Sequence, residues 1–303
     1  MLPELELRKK VTSITQDPEI LKTILDINSL RIQGAKNVAL ASLQAARRLY
    51  EKEGASDNFF KLIDLLQNLR YTQVITYNSL EIVKKNVLKN PKVFDKLENY
   101  IKESNTKINK TFVNALSKAF TDDIIVLTHC HSSEEISALI YAKNKGFKLS
   151  VYVTETRPKY QGLKTAKDLM NAGIEVIYIV DSASGLYMKD VDLVLFGCDA
   201  IRSNGIVNKI GSYMISLCAK EHGKLVWFIG DTLKVDLRNK FEIEMRDPSE
   251  IIDPKELPGV KILNPAFDIT PWKLVDSVIT DTGAYSEFYS ISTEFKKLVK
   301  ALE

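Results

Sequence analysis

The chain has 303 residues, of which 45% are hydrophobic and 27% charged, and 42 Lys and Arg against 39 Asp and Glu leave a net charge of +3. That length predicts one large domain or two unequal ones, and the composition excludes wholesale disorder. Charge this balanced excludes a protein built to coat nucleic acid, so no direct nucleic-acid binding is expected, though a local basic pocket for a small anion is compatible with it.

The opening MLPELELRKK has no apolar stretch behind its charges and is not expected to act as a secretory signal. Residues 1–120 then read as helix after helix. SLRIQGAKNVALASLQAARRLYEKEG puts Val38, Leu40, Ala41, Leu43, Ala45, Ala46 and Leu49 on one apolar stripe, with Gly54 as a stop. NFFKLIDLLQNLRYTQVITYNSLEIVKKNVLKN and VFDKLENYIKESNTKINKTFVNALSKAF continue the pattern. This half is read as a helical cap or assembly surface.

After Asp122 the rhythm changes, and residues 121–303 are read as a second domain. DIIVLTHC, KLSVYVTE, IEVIYIVD, VDLVLFGCD and KLVWFIGD are strand-like and β-branched, and helical stretches closing on Gly146, Gly173 and Gly223 separate them. This alternation predicts a Rossmann-like, doubly wound and mainly parallel sheet, an α/β domain behind the helical one. No GxGxxG occurs, so a bound dinucleotide has no direct support and no cofactor is expected. The longest apolar runs have strand length and are too short to span a bilayer, so no membrane association is expected. Three cysteines without CxxC spacing suit a reducing, cytoplasmic setting.

In such sheets ligands bind beyond the carboxyl ends of the strands. The first strand ends in Thr128-His129-Cys130-His131-Ser132, with Ser132 or Ser133 placed to cap the next helix. A thiol at a helix N-terminus is biased towards thiolate, which makes Cys130 a candidate nucleophile or acid/base group; a buried cysteine packing as a small hydrophobe is the other reading. Neighbouring side chains in an extended segment point opposite ways, so His129, Cys130 and His131 are not expected to share a metal. Arg157 and Lys159 before the next helix offer a fork and a point charge to phosphate, or form a solvated basic loop. Asp199 of GCDA is a candidate general acid/base or a turn residue. Asn208-Lys209-Ile210-Gly211 opens a helix at which an anion can meet backbone N–H groups and the Lys209 ammonium, and Lys234 is a further anion contact. Cys198 and Cys218 are read as structural.

Together VLTHCHS, VTETRPKYQG, IVDSA, GCDAI-x-x-NG-x-V-NKIG, EIEMRDPSEII and NPAFDITP resemble the family of the alpha, beta and delta subunits of translation initiation factor 2B, methylthioribose-1-phosphate isomerase and archaeal ribose-1,5-bisphosphate isomerase. The last two segments resemble the archaeal ribose-1,5-bisphosphate isomerase branch most. The resemblance implies a helical domain on a Rossmann-like domain, and a homodimer or homohexamer binding a phosphorylated sugar or nucleotide. It implies a catalytic pair at Cys130 and Asp199, and substrate binding at Arg157, Gln161, Asn208, Lys209 and Lys234, with phosphate at Arg70. The family's RGA phosphate motif reads Gln33-Gly34-Ala35 here, with Arg31 two positions early; Tyr71 replaces the proline after Arg70, and Gly283-Ala284-Tyr285-Ser286 replaces a proline-containing tail. A neutral Gln33 cannot make a charged bidentate contact.

The chemistry implied is the conversion of ribose 1,5-bisphosphate to ribulose 1,5-bisphosphate. Asp199 protonates the ring oxygen, and the Cys130 thiolate removes the C2 proton to give an enol phosphate that is reprotonated at C1. Two other readings are a non-catalytic regulatory subunit that binds a nucleotide or sugar phosphate, and methylthioribose-1-phosphate isomerase.

Overall fold

The structure is a computed structural model that describes residues 3–121 and 123–303; Met1, Leu2 and Asp122, where the chain start and the change of rhythm were read, lie outside the described residues. Among the described residues the first part forms α1 (Glu4–Thr12), α2 (Pro18–Asn28), α3 (Ala35–Glu53), α4 (Asp57–Leu69), α5 (Val74–Asn86) and α6 (Val93–Ala119). Local chemistry sets their starts. Asp17 caps α2 by accepting the N–H groups of Glu19 and Ile20, with Pro18 at the first helical position, and Ser56 caps α4 through the N–H of Phe59. The α3 stripe is rotated slightly from the expected one. Val38, Leu43, Ala45, Ala46 and Leu49 are buried as read, but Ala39 and Ser42 join them while Leu40 and Ala41 lie half-buried at the flank. Each fully buried leucine on that face contributes about 1.5–3 kcal/mol.

Compact packing divides the chain within α6. Residues 3–104, 233–235 and 293–303 form a helical unit, and residues 105–121, 123–232 and 236–292 form a second unit. In the helical unit the Asn78 side-chain amide donates to the carbonyls of Leu233 and Val235, both at 2.8 Å, which fixes the segment that carries Lys234.

The second unit runs β1 (Ile124–Thr128), α7 (Ser133–Asn144), β2 (Leu149–Thr154), α8 (Gln161–Asn171), β3 (Glu175–Ile179), the short α9 (Ser184–Tyr187) and β4 (Leu193–Gly197). It continues through β5 (Ala200–Arg202), β6 (Gly205–Lys209), α10 (Ser212–Glu221), β7 (Leu225–Ile229), β8 (Phe267–Thr270), β9 (Ser277–Ile279) and β10 (Ala284–Tyr285) into α11 (Phe288–Leu302). The main sheet has the order β10-β9-β7-β4-β1-β2-β3 and is parallel except for β10. Central β4 is buried throughout, as a strand covered on both faces must be. On one face Phe112, Leu116, Ile136, Leu139 and Leu169 close over Val126, Val151 and Leu195, and Phe112 meets Trp227 edge-to-face at 6.3 Å.

One feature differs from the sequence reading. RSNG does not lead straight from strand to helix. It is the turn of a β5–β6 hairpin, to which β8 adds to make a separate three-stranded antiparallel sheet. Within Gly283-Ala284-Tyr285-Ser286, which replaces the family's proline-containing tail, Ala284 and Tyr285 form the antiparallel edge strand β10.

Candidate active site

The sheet order reverses between β1 and β4, so the crevice beyond their carboxyl ends is the topological switch point. Cys130 lies two residues beyond the end of β1, and Asp199 two residues beyond the end of β4. The Asp199 N–H donates to Val207 O at 2.8 Å, so the β5–β6 hairpin starts at this residue and returns Lys209 on the neighbouring strand. The charges of both Asp199 and Lys209 act on the Cys130 thiol. Sequence reasoning singled out all three, and the fold brings them into one electrostatic neighbourhood.

Cys130 is held in the left-handed region, at φ +80°. Its N–H donates to the Thr156 hydroxyl at 2.9 Å, and its carbonyl accepts the Thr165 hydroxyl at 2.7 Å. Burial pushes its thiol up to about 11; Lys209 and the His131 N–H oppose the shift, while Asp199 and Glu135 add to it. This corrects the expectation of a thiolate favoured by a helix end. The α7 N-cap is Ser132, whose hydroxyl accepts the Glu135 N–H, and Cys130 sits before that cap with its sulfur desolvated. At neutral pH the group is a thiol.

An aspartate holds the loop that follows β2. The Asp181 carboxylate accepts the N–H groups of Thr156 and Arg157 at 2.7 and 2.8 Å. The basic loop is not simply solvated. Arg157 donates to the Tyr160 hydroxyl at 2.9 Å and to Ile251 O at 3.0 Å, and Lys159 stands 3.7 Å from Glu250. Gln161 opens α8, and its buried Oε1 has no hydrogen-bond partner among the described residues.

The NKIG segment is fixed from two sides. His129 donates through Nε2–H to Ile210 O at 2.8 Å and accepts the Thr154 hydroxyl on Nδ1 at 2.6 Å; burial holds the imidazole below its ordinary range, hence neutral. A Cβ on Gly211, where φ is +107°, would lie 3.1 Å from that ring. An acid of the chain itself reaches the N-terminus of α10, where the sequence reading placed a phosphate contact. The Asp268 carboxylate takes the N–H groups of Gly211 at 2.7 Å and Tyr213 at 3.2 Å, and the Asn208 amide is turned to Ser212 at 2.8 Å. Burial pushes Asp268 up to about 6 against those two donors.

His131 contacts Thr165 at 3.1 Å and Lys164 at 2.9 Å, so each histidine of the THCH segment has both ring nitrogens engaged with other partners. His131 also lines a groove of about 560 Å³ with Asn109, Ser137, Tyr141 and Lys164, which does not include Cys130 or Asp199.

The remaining expected ligands belong to the helical unit. Gln33 and Gly34 precede α3, Ala35 is its first residue, and the Gln33 carbonyl accepts the Asn37 amide at 3.0 Å. Arg31 is exposed and pairs with Asp26 at 3.1 Å, Arg70 ends α4, and Lys234 is buried. Sequence reasoning missed Thr156, Asp181 and Asp268 as organisers of the site, although all three stand in quoted motifs. Their acids and hydroxyls at strand ends were the available signal.

The model of the Initiation factor 2 subunit family matches residues 31–287. A ribose 1,5-bisphosphate isomerase of Pyrococcus furiosus is 33% identical over 302 residues, covering 90% of this chain and 92% of that one. One of Thermococcus kodakarensis is 35% identical over 298 residues, with 90% and 92% covered. Among solved structures, translation initiation factor eIF-2B of Pyrococcus horikoshii matches 91% of this chain and 99% of its own with a TM-score of 0.77 at 24% identity, a likeness of fold. Among the described residues no helix is long and apolar enough to cross a membrane.

Proposed function

Because the chain belongs to the Initiation factor 2 subunit family, we propose that it is an aldose–ketose isomerase that converts ribose 1,5-bisphosphate to ribulose 1,5-bisphosphate. The observation that carries the reading is the placement of Cys130 and Asp199 beyond adjacent strands at the switch point, with Lys209 acting on the same thiol. Two relatives named for this reaction, each about a third identical over nine-tenths of the chain, support it.

A sugar 1-phosphate has no free aldehyde, so its ring must open before ordinary enediol chemistry can begin. The thiol carries a proton at rest, and loss of that proton to the ring oxygen, with Asp199 as its carrier, breaks the C1–O4 bond. The same loss leaves a thiolate. The thiolate then removes the C2 proton, giving an enol phosphate and restoring the thiol. Asp199 takes the proton of the C2 hydroxyl as the thiol protonates C1, and return of that proton to sulfur closes the cycle with every proton accounted for. Each acid/base group contributes about 10²–10⁴-fold. Lys209 balances the negative charge as it develops, and a high resting thiol makes a stronger base once ionised.

Within the second unit Arg157 and Lys209 are assigned to phosphate; within the helical unit, taken by itself, the family resemblance assigns Arg70, Lys234, Arg31 and the Gln33–Ala35 segment to phosphate. Gln161, with its orphaned oxygen, and Asn208 are assigned to substrate hydroxyls. On this reading residues 1–120 are a helical domain and residues 121–303 the catalytic and ligand-binding one, and the protein works in the cytoplasm as a homodimer or homohexamer. A regulatory subunit that binds a phosphorylated ligand without converting it is the second reading, favoured by Asp268 filling the α10 N-terminus and by the uncharged Gln33.

Incubation with ribose 1,5-bisphosphate, methylthioribose 1-phosphate and ribose 1-phosphate, followed by NMR detection of ketose phosphates, separates these readings. Ribulose 1,5-bisphosphate should accumulate from the first substrate. Saturable binding of all three without conversion would establish the regulatory reading instead.

A further inference from the structure

Glu135 is the third residue of α7, and only 1% of it is exposed. Ser132-Ser133-Glu134-Glu135 has the spacing of a capping box, in which the Glu side chain would turn back to the Ser132 N–H. It does not. One carboxyl oxygen of Glu135 accepts the Thr128 hydroxyl, and the other accepts the N–H of Gly197 at 3.1 Å. Thr128 is the last residue of β1 and Gly197 the last of β4. A single side chain therefore spans the two strand ends on either side of the switch point. The junction is tight, because a Cβ on Gly197 would lie 2.4 Å from the Ser132 Cβ.

Cys130 follows Thr128 by two residues, and Asp199 follows Gly197 by two residues. We infer that Glu135 is a positioning residue that fixes the separation of the Cys130 thiol and the Asp199 carboxyl by tying the ends of β1 and β4 together. The inference rests on the acid–base roles proposed for that pair. Nothing in the reaction uses Glu135 as an acid or base, and its two bonds are spent on the scaffold. Burial pushes its carboxyl up to about 8, with Glu134 on the same helix adding to the rise and the Thr128 and Gly197 hydrogen bonds opposing it, so at neutral pH it is largely a neutral acid. A neutral amide of the same shape is then a close replacement: its oxygen accepts from Gly197, and its NH2 donates to the Thr128 oxygen once that hydroxyl turns to accept, as it can for the O–H of the neutral acid.

The test measures kcat and KM on ribose 1,5-bisphosphate for wild type, E135A, E135Q and C130S. A misplacement of the pair by a fraction of an ångström to an ångström predicts a loss of kcat of about 10²-fold in E135A, with KM changed far less. E135Q should recover kcat to within about fivefold of wild type, since one neutral hydrogen-bonded pair replaces another. E135Q as slow as E135A, or E135A as fast as wild type, would overturn the inference. If E135A does not fold, T128V removes one anchor alone and should lower kcat about tenfold, by the same geometric argument; an unchanged kcat would overturn the inference.

Should C130S turn over normally, it is the acid–base assignment that fails, and a readout independent of turnover then decides the role of Glu135. Peptide-resolved alkylation of Cys130 is followed against pH with iodoacetamide. D199N should lower the pH midpoint in the wild-type and E135Q backgrounds and have much less effect in E135A or T128V. An equal shift in every background would show that Glu135 does not set the separation.

Discussion

The carboxylate of Asp181 accepts the main-chain N–H of Arg157 at 2.8 Å while its second oxygen accepts that of Thr156 at 2.7 Å. Thr156 is β-branched and sits at φ +61°, a left-handed conformation that costs about 1–3 kcal/mol and persists only where neighbours impose it. Its hydroxyl in turn accepts the Cys130 N–H. One acid thus organises both the cationic loop and the support of the thiol. D181A is expected to raise KM for ribose 1,5-bisphosphate about tenfold or more, and D181N, which keeps one acceptor, to fall between it and wild type. Steady-state kinetics of the two variants check the order.

The Cys130 thiol responds in opposite senses to its two charged neighbours. Asp199 raises it and Lys209 lowers it, both on top of a larger rise caused by burial. Its alkylation should be slow at pH 7–8 and accelerate towards pH 11. K209M should move that rise to higher pH, and D199N to lower pH. Mass spectrometry of the Cys130 peptide after timed alkylation distinguishes it from Cys198 and Cys218.

Glu135 also sets a pH dependence of stability. Its carboxyl is held at about 8 in the folded chain against an ordinary value near 4.5, so between those limits the folded state holds the proton more often than the unfolded state. Stability from this group is complete below pH 4.5 and is lost as pH rises through 8, at a cost on the order of 3–5 kcal/mol by then. E135Q should therefore lose less Tm than wild type on raising pH from 5 to 8. Calorimetric scans at both pH values test this; parallel losses in the two proteins would contradict it.

Gly211 meets two demands at once. Its φ of +107° disfavours any side chain, and an added Cβ would press on the His129 ring at 3.1–3.3 Å. G211A is expected to cost roughly 1–3 kcal/mol of stability and to lower activity beyond that, because His129 holds Ile210 beside Lys209. Urea denaturation gives the first quantity, and turnover at a temperature well below Tm gives the second.

Cys130 and Asp199 were legible in the sequence because each follows a run of buried β-branched residues, and a strand end before a polar turn is a pattern one stretch of chain can carry. The helical unit was legible for the same reason, since a 3.6-residue stripe is local. The β5–β6 hairpin was not. Its strands are three and five residues long, and the Ser203-Asn204-Gly205 turn, though typical of hairpins, stands beside an NKIG segment that reads as a helix start. The filling of the α10 N-terminus was hidden too, because its acid, Asp268, lies 57 residues downstream of Gly211. The ionisation of Cys130 was misjudged because a nearby helix start is visible in sequence, whereas desolvation of a sulfur depends on everything packed around it. Glu135 was masked by a local motif that predicts a different partner.

In the proposed mechanism Cys130 and Asp199 together move the protons that turn a sugar 1-phosphate into a ketose phosphate. Single-turnover formation of ribulose 1,5-bisphosphate from ribose 1,5-bisphosphate, followed for wild type, C130S and D199N, addresses it most directly. Wild type should form product while each variant binds the substrate and falls by about 10²–10⁴-fold or more in rate. Product formation at a near-wild-type rate by either variant would contradict it.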